Sequence, residues 1–125
     1  MGGQSFPHRY GPVTKRQEIS SSEWRGIYVF KEYRVEVMFS NNVSMAEIIQ
    51  PIVKRSFSSD EKKALIETVG GMGEWRTLFG DVWVNNDTKA RAQIDFGSGR
   101  QILTVMTKEY FDSRKRQEKS KADGF

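Results

Sequence analysis

The chain has 125 residues, no cysteine and one histidine, His8. Its length fits one domain, and without Cys there are no disulfides and no His/Cys metal cluster, which fits a reducing, intracellular setting. Most catalysis at neutral pH borrows an imidazole or a thiol, so the composition points to a non-enzymatic protein with no cofactor and no metal.

No apolar run approaches the roughly 20 residues that span a bilayer. The head 1–22 has no apolar h-region of a secretory signal, and Phe6 stands where a myristoylation pattern needs Ser or Thr. The net charge is +4. Residues 1–23 carry a net +1 and residues 112–125 a net +2, which leaves +1 for the middle. The excess therefore sits mainly at the ends and describes basic arms on a nearly neutral domain.

The head, residues 1–22, contains Gly2, Gly3, Pro7, Gly11, Pro12 and the triple Ser20-Ser21-Ser22. It has little apolar periodicity and reads as a flexible arm. From Trp24 to Phe39 aromatic and β-branched residues dominate. Tyr33, Val35, Val37 and Phe39 alternate with Arg34, Glu36 and Met38, the period of a strand. A hairpin or bulge at Lys31-Glu32 makes this stretch a strand pair.

Two capping-box patterns follow. Ser44-Met45-Ala46-Glu47 precedes Ile48, Ile49, Ile52, Val53 and Phe57, which predicts a helix over 45–56, kinked at Pro51. Ser58-Ser59-Asp60-Glu61 precedes Ala64, Leu65, Ile66 and Val69, which predicts a second helix over 59–69, stopped by Gly70-Gly71.

A three-strand meander comes next. Trp75–Val84 is the first strand, with a possible break at Gly80, and Asn85-Asn86-Asp87 is a turn. Lys89–Phe96 is the second strand, Gly97-Ser98-Gly99 a second turn, and Arg100–Thr107 the third strand. Ala90, Ala92, Ile94 and Phe96 form a dry face; Lys89, Arg91, Gln93 and Asp95 form a wet one. Tyr110 and Phe111 close the core. Residues 112–125 are a charged tail, either a solvated helix or disordered.

These elements predict an α+β domain over 23–111 between an arm (1–22) and a tail (112–125). Its antiparallel sheet has an N-terminal strand pair and a C-terminal three-strand meander, packed with two short helices in the order ββ-αα-βββ. The sheet is either one mixed sheet or one that a second copy completes. No internal repeat is visible.

Chemical motifs are sparse. Asn85-Asn86-Asp87 lacks the spacing and terminal Glu of a calcium loop. Gly70-Gly71-Met72-Gly73 ends a helix, whereas a phosphate loop opens one. Gly97-Ser98-Gly99-Arg100 reads as a tight hairpin. The serines lack a His partner, and no spacing singles out a pair of carboxylates.

Two binding roles remain. The first is a small nucleic-acid-binding protein, for DNA or RNA, similar in broad architecture to viral packaging and phage regulatory proteins but without a shared motif. Lys15, Arg16, Arg76, Lys89, Arg91, Arg100, Arg114, Lys115 and Arg116 are its candidate phosphate contacts. Trp75, Trp83, Tyr28 and Tyr33 are candidate stacking platforms. The alternative is a structural or adaptor subunit, or a homodimer, that uses an aromatic surface and a sheet edge.

Overall fold

The strand-forming stretch that opens at Glu23 does not end at Ser40. A computed structural model describes residues 13–71 and 73–123, with backbone alone from 117. Among these residues the chain runs β1 (Lys15–Glu18), β2 (Glu23–Phe30), β3 (Tyr33–Ser40) and β4 (Val43–Pro51), then helix α1 (Ser59–Gly70). It continues as β5 (Trp75–Phe79), β6 (Val82–Asn85), β7 (Arg91–Gly97) and β8 (Arg100–Met106), and ends in helix α2 (Lys108–Asp123).

The strands form a single antiparallel sheet in the order β1-β2-β3-β4-β8-β7-β6-β5. This corrects the expected ββ-αα-βββ fold. The order is a four-strand meander and a helix, twice over. The sheet is not mixed, and β4–β8 pairing joins its halves without a second copy.

The segment expected as a helix over 45–56 is strand β4 as far as Pro51 and an irregular connection over 52–56. Its apolar spacing satisfies both periods: Glu47, Ile49 and Pro51 take one face, Ala46 and Ile48 the other. The turn before it decides the matter. Asn41 and Asn42 both hold positive φ, 52° and 62°, the conformation of a two-residue hairpin loop that returns the chain against β3. β-Branched Val43, Ile48 and Ile49 then favour the strand. Pro51 stands at the strand's last position, where its missing donor interrupts no ladder. A bulge at Met38/Phe39 absorbs the offset. The Lys31-Glu32 hairpin forms as expected, joining the Phe30↔Tyr33 pair.

The second expected helix is α1. Ser58 accepts from the Glu61 backbone, and the Glu61 carboxylate accepts from the Ser58 backbone, a complete capping box. Two of the expected segments outside the domain also carry elements. β1 pairs Lys15–Glu18 of the head with β2, and α2 runs from Lys108 through most of the expected tail.

In an antiparallel sheet, paired residues share a face, so the registers sort every strand residue. One face carries Tyr28, Val35, Val37, Phe39, Ile49, Ala92, Leu103 and Val105, and α1 covers it with Leu65, Ile66 and Val69. Each fully buried side chain of this size contributes about 1.5–3 kcal/mol, which makes this face the core. The opposite face carries α2, whose Phe111 and Arg114 share a cleft with Gln93 and Met106.

Candidate nucleic-acid interface

The α2 face collects most of the strand cations. The registers place Lys15, Arg25, Arg34, Arg76, Arg91 and Arg100 there, against the acids Glu23, Glu36 and Asp95. On the α1 face the strands carry Arg16 against Glu18 and Glu47. A continuous row crosses all eight strands on the α2 face: Gln17, Arg25, Met38, Ala46, Met106, Arg91, Val84 and Arg76.

At the middle of that row the second helix meets the sheet. The Arg91 guanidinium lies 4.6 Å from the Phe111 ring, and the Lys115 ammonium 5.3 Å from the same ring. Arg114 extends over Tyr110, 6.0 Å from its centroid. A cleft of about 230 Å³ opens beside them, lined by Gln93, Met106, Phe111, Arg114 and Lys115. No carboxylate lines it. Asp112 is engaged by Lys108 at 2.7 Å, a pairing that lowers the Asp112 pKa and raises that of Lys108. Phe111 thus receives Arg91 and Lys115, while Tyr110 carries Arg114, which also lines a second cleft with Glu23 and Glu109. The cleft without a carboxylate suits a polyanion's phosphate groups.

The other expected contacts scatter. Arg16 lies on the α1 face, 4.0 Å over the Trp24 ring, with its Nε donating to Glu18 at 2.7 Å. Lys89 sits in the β6–β7 turn rather than on the strand, and its ammonium donates to the Asn86 carbonyl at 2.8 Å. Arg76 is on the α2 face at the sheet's edge, donating to Asn86 Oδ1 at 2.8 Å. Arg100 shares the face but turns its Nη1 to the Pro51 carbonyl, 3.2 Å away. Lys15 and Arg116 are exposed.

The expected stacking platforms are not on this face. Tyr28 is fully buried, and burial pushes its hydroxyl pKa up. Tyr33 donates to Glu61 beneath α1. Trp75 and Trp83 face α1. The rings that do accompany cations are Phe111 and Tyr110 of α2; Phe79, 69% exposed, lies on the same sheet face, paired with Val82.

Arg25 and Arg34 were not among the expected contacts. They bracket Glu36 at 3.5 and 3.8 Å. Their alternation with the buried β3 and β2 positions was visible in the sequence. What it did not carry was that this face continues, through the apolar Met38, Ala46 and Met106, to Arg91.

Among the described residues no group of three or more His, Cys, Asp or Glu is placed to hold a metal ion. No helix of the described chain is long and apolar enough to cross a membrane. No protein family, no curated protein and no solved structure matches this chain.

Proposed function

We propose that this chain binds nucleic acid without catalysis, through the sheet face that carries α2. The observation that supports this reading is the meeting of Arg91 and Lys115 at the Phe111 ring, beside a cleft that Arg114 and Lys115 line and no carboxylate does. Arg91 is remote in sequence from Phe111 and Lys115, and a purely solvated tail has no reason to meet it.

In this reading the three cations hold successive phosphates. Lys15 and Arg76 extend the positive track to the two sheet edges, and Phe79 offers a base a surface to stack on. A broad sheet does not enter a duplex groove as a helix does. It can underlie a single strand whose bases are splayed, so single-stranded DNA or RNA is the favoured ligand.

Labelled oligonucleotides titrated at two salt concentrations test this. Neutralising three phosphates of a single strand gives a slope of about −2 in log K against log salt. Changing Arg91, Arg114 and Lys115 together to Ala should remove most of the binding and most of the slope. No binding at micromolar protein and low salt overturns the reading.

A further inference from the structure

Among the described residues the sheet ends in two edges, β1 and β5, and they differ in kind. β1 reads Lys15-Arg16-Gln17-Glu18, exposed throughout. Charges crowded on an edge discourage further pairing. β5 reads Trp75-Arg76-Thr77-Leu78-Phe79. Its one charge, Arg76, is turned back onto Asn86.

The hydrogen-bond phase of β5 is also defined. The Asn86 amide donates to the Glu74 carbonyl at 2.8 Å. Inward pairs alternate along an antiparallel ladder, so Trp75 and Thr77 direct their N–H and C=O groups outward. The bulge between Thr77 and Phe79 ends the regular stretch there.

Beside this edge, on the α1 face, lies a cleft of about 410 Å³. Trp75, Thr77 and Trp83 form its floor, and Lys62, Lys63 and Ile66 of α1 its wall. Lys62 is engaged by Asp81 at 3.3 Å. A residue added opposite Trp75 or Thr77 would point its side chain to this same face.

We propose that β5 receives a short extended peptide from another protein, which adds a ninth strand and places one large apolar side chain in the cleft over Trp83. A row of outward backbone donors and acceptors finds its full complement in another peptide backbone, which is why the occupant is a peptide rather than a nucleotide. A second copy of β5 fits less well. Its side chains on the cleft side would be Trp75 and Thr77. Thr77 is short, and Trp75 is held in place: its Nε1 donates to the Gly71 carbonyl at 3.4 Å and its ring fills the space beside Gly70.

The test uses the full chain and a panel of blocked seven-residue peptides in which Thr alternates with Val, Leu, Phe or Glu. The Leu or Phe peptide should bind saturably, change the tryptophan fluorescence and slow exchange of the Thr77 amide. A copy methylated on alternate amides should bind at least about tenfold more weakly, the equivalent of one or two lost backbone hydrogen bonds. Thr77→Pro should weaken binding equally while keeping the circular dichroism spectrum, because the outward amide takes no part in the ladder. If Thr77→Pro fails to fold, the methylated peptide on the native chain decides the same point.

Three results overturn the proposal. In the first, no peptide binds, or methylated and plain peptides bind alike. In the second, sedimentation shows a dimer that protects Thr77, which assigns the edge to a second copy. In the third, an oligonucleotide alone protects Thr77, which assigns it to the nucleic-acid site.

Discussion

Arg55 grips Glu61 through both carboxylate oxygens, with Nη1 to Oε1 at 2.8 Å and Nη2 to Oε2 at 2.7 Å. The same guanidinium reaches Glu32 at 2.9 Å, and Tyr33 donates to Glu61 from the other side. One carboxylate thus caps α1, fixes the β4–α1 connection and ties both to the β2–β3 hairpin.

The Arg55 bonds, with those of Tyr33 and Ser58, hold the Glu61 carboxyl at about 2, against an ordinary 4.5. Its folded pKa is depressed, so its stabilisation is present above about pH 4.5 and is lost as pH falls toward 2. After allowance for partial solvent screening we expect about 1–2 kcal/mol. Acid titration of the thermal midpoint should show the loss in that window, and Glu61→Gln should flatten it. A Glu61→Gln curve parallel to the native one would refute the assignment.

Tyr33 behaves in the opposite sense. Burial and the bond to Glu61 raise its hydroxyl from 10.0 to about 12. Its contribution is full below pH 10 and disappears as pH rises through 12. Tyr33→Phe should remove that alkaline loss, measured by the thermal midpoint across the same range.

Gly70 ends α1 against the Trp75 indole, and a Cβ there would sit 2.3 Å from the ring. Gly→Ala within a helix ordinarily stabilises by up to about 1 kcal/mol. Here overpacking should reverse the sign, and Gly70→Ala should cost about 1–3 kcal/mol in denaturant unfolding. A stabilised variant would show that the indole gives way freely.

Asn41 and Asn42 turn the chain into β4 with positive φ at both positions. A β-branched residue does not tolerate that region. Asn42→Val should therefore cost about 1–2 kcal/mol in thermal unfolding, and Asn42→Gly almost nothing. Equal stability of the two variants would show that the turn does not depend on positive φ at position 42.

Arg91 and Lys89 separate the sheet face from the turn. Arg91→Ala should lower the salt slope of oligonucleotide binding by about 0.7, one phosphate contact on a single strand. Lys89→Ala should leave it unchanged, since that ammonium is committed to the Asn86 carbonyl. Equal effects of the two would refute the placement of the interface.

Strand pattern and turn chemistry were legible in the sequence where they agreed. The alternation from Tyr33 to Phe39, the Lys31-Glu32 hairpin and the Ser58–Glu61 capping box all appear in the structure. Residues 45–56 were misread because Ser44–Glu47 imitates a helix start, while Ile48 and Ile49 suit either period. The Asn41-Asn42 turn that decided the matter lay just outside the motif. The candidate site was legible only in parts. The Arg114-Lys115-Arg116 cluster and Arg91 stand out separately, but their sharing a face depends on α2 folding back over the sheet, and Phe111 gave no sign that it would receive Arg91 and Lys115. Long-range pairing, here β4 with β8, has no local signature in the sequence.

That seam also sets how the chain must assemble. Within each half the strands are joined in chain order by short connections, so each half closes at small loop-entropy cost. The seam unites residues 46–49 with 103–106, across about half of the described chain, and no shorter path replaces it. The two hairpin stacks can form early and independently. Their joining is the slow, topologically demanding step, and until it happens the inner edges of both β4 and β8 stand open to the wrong partner. Substitutions at Ile48, Ile49 or Leu103 should therefore act on folding yield more than their buried area alone would suggest.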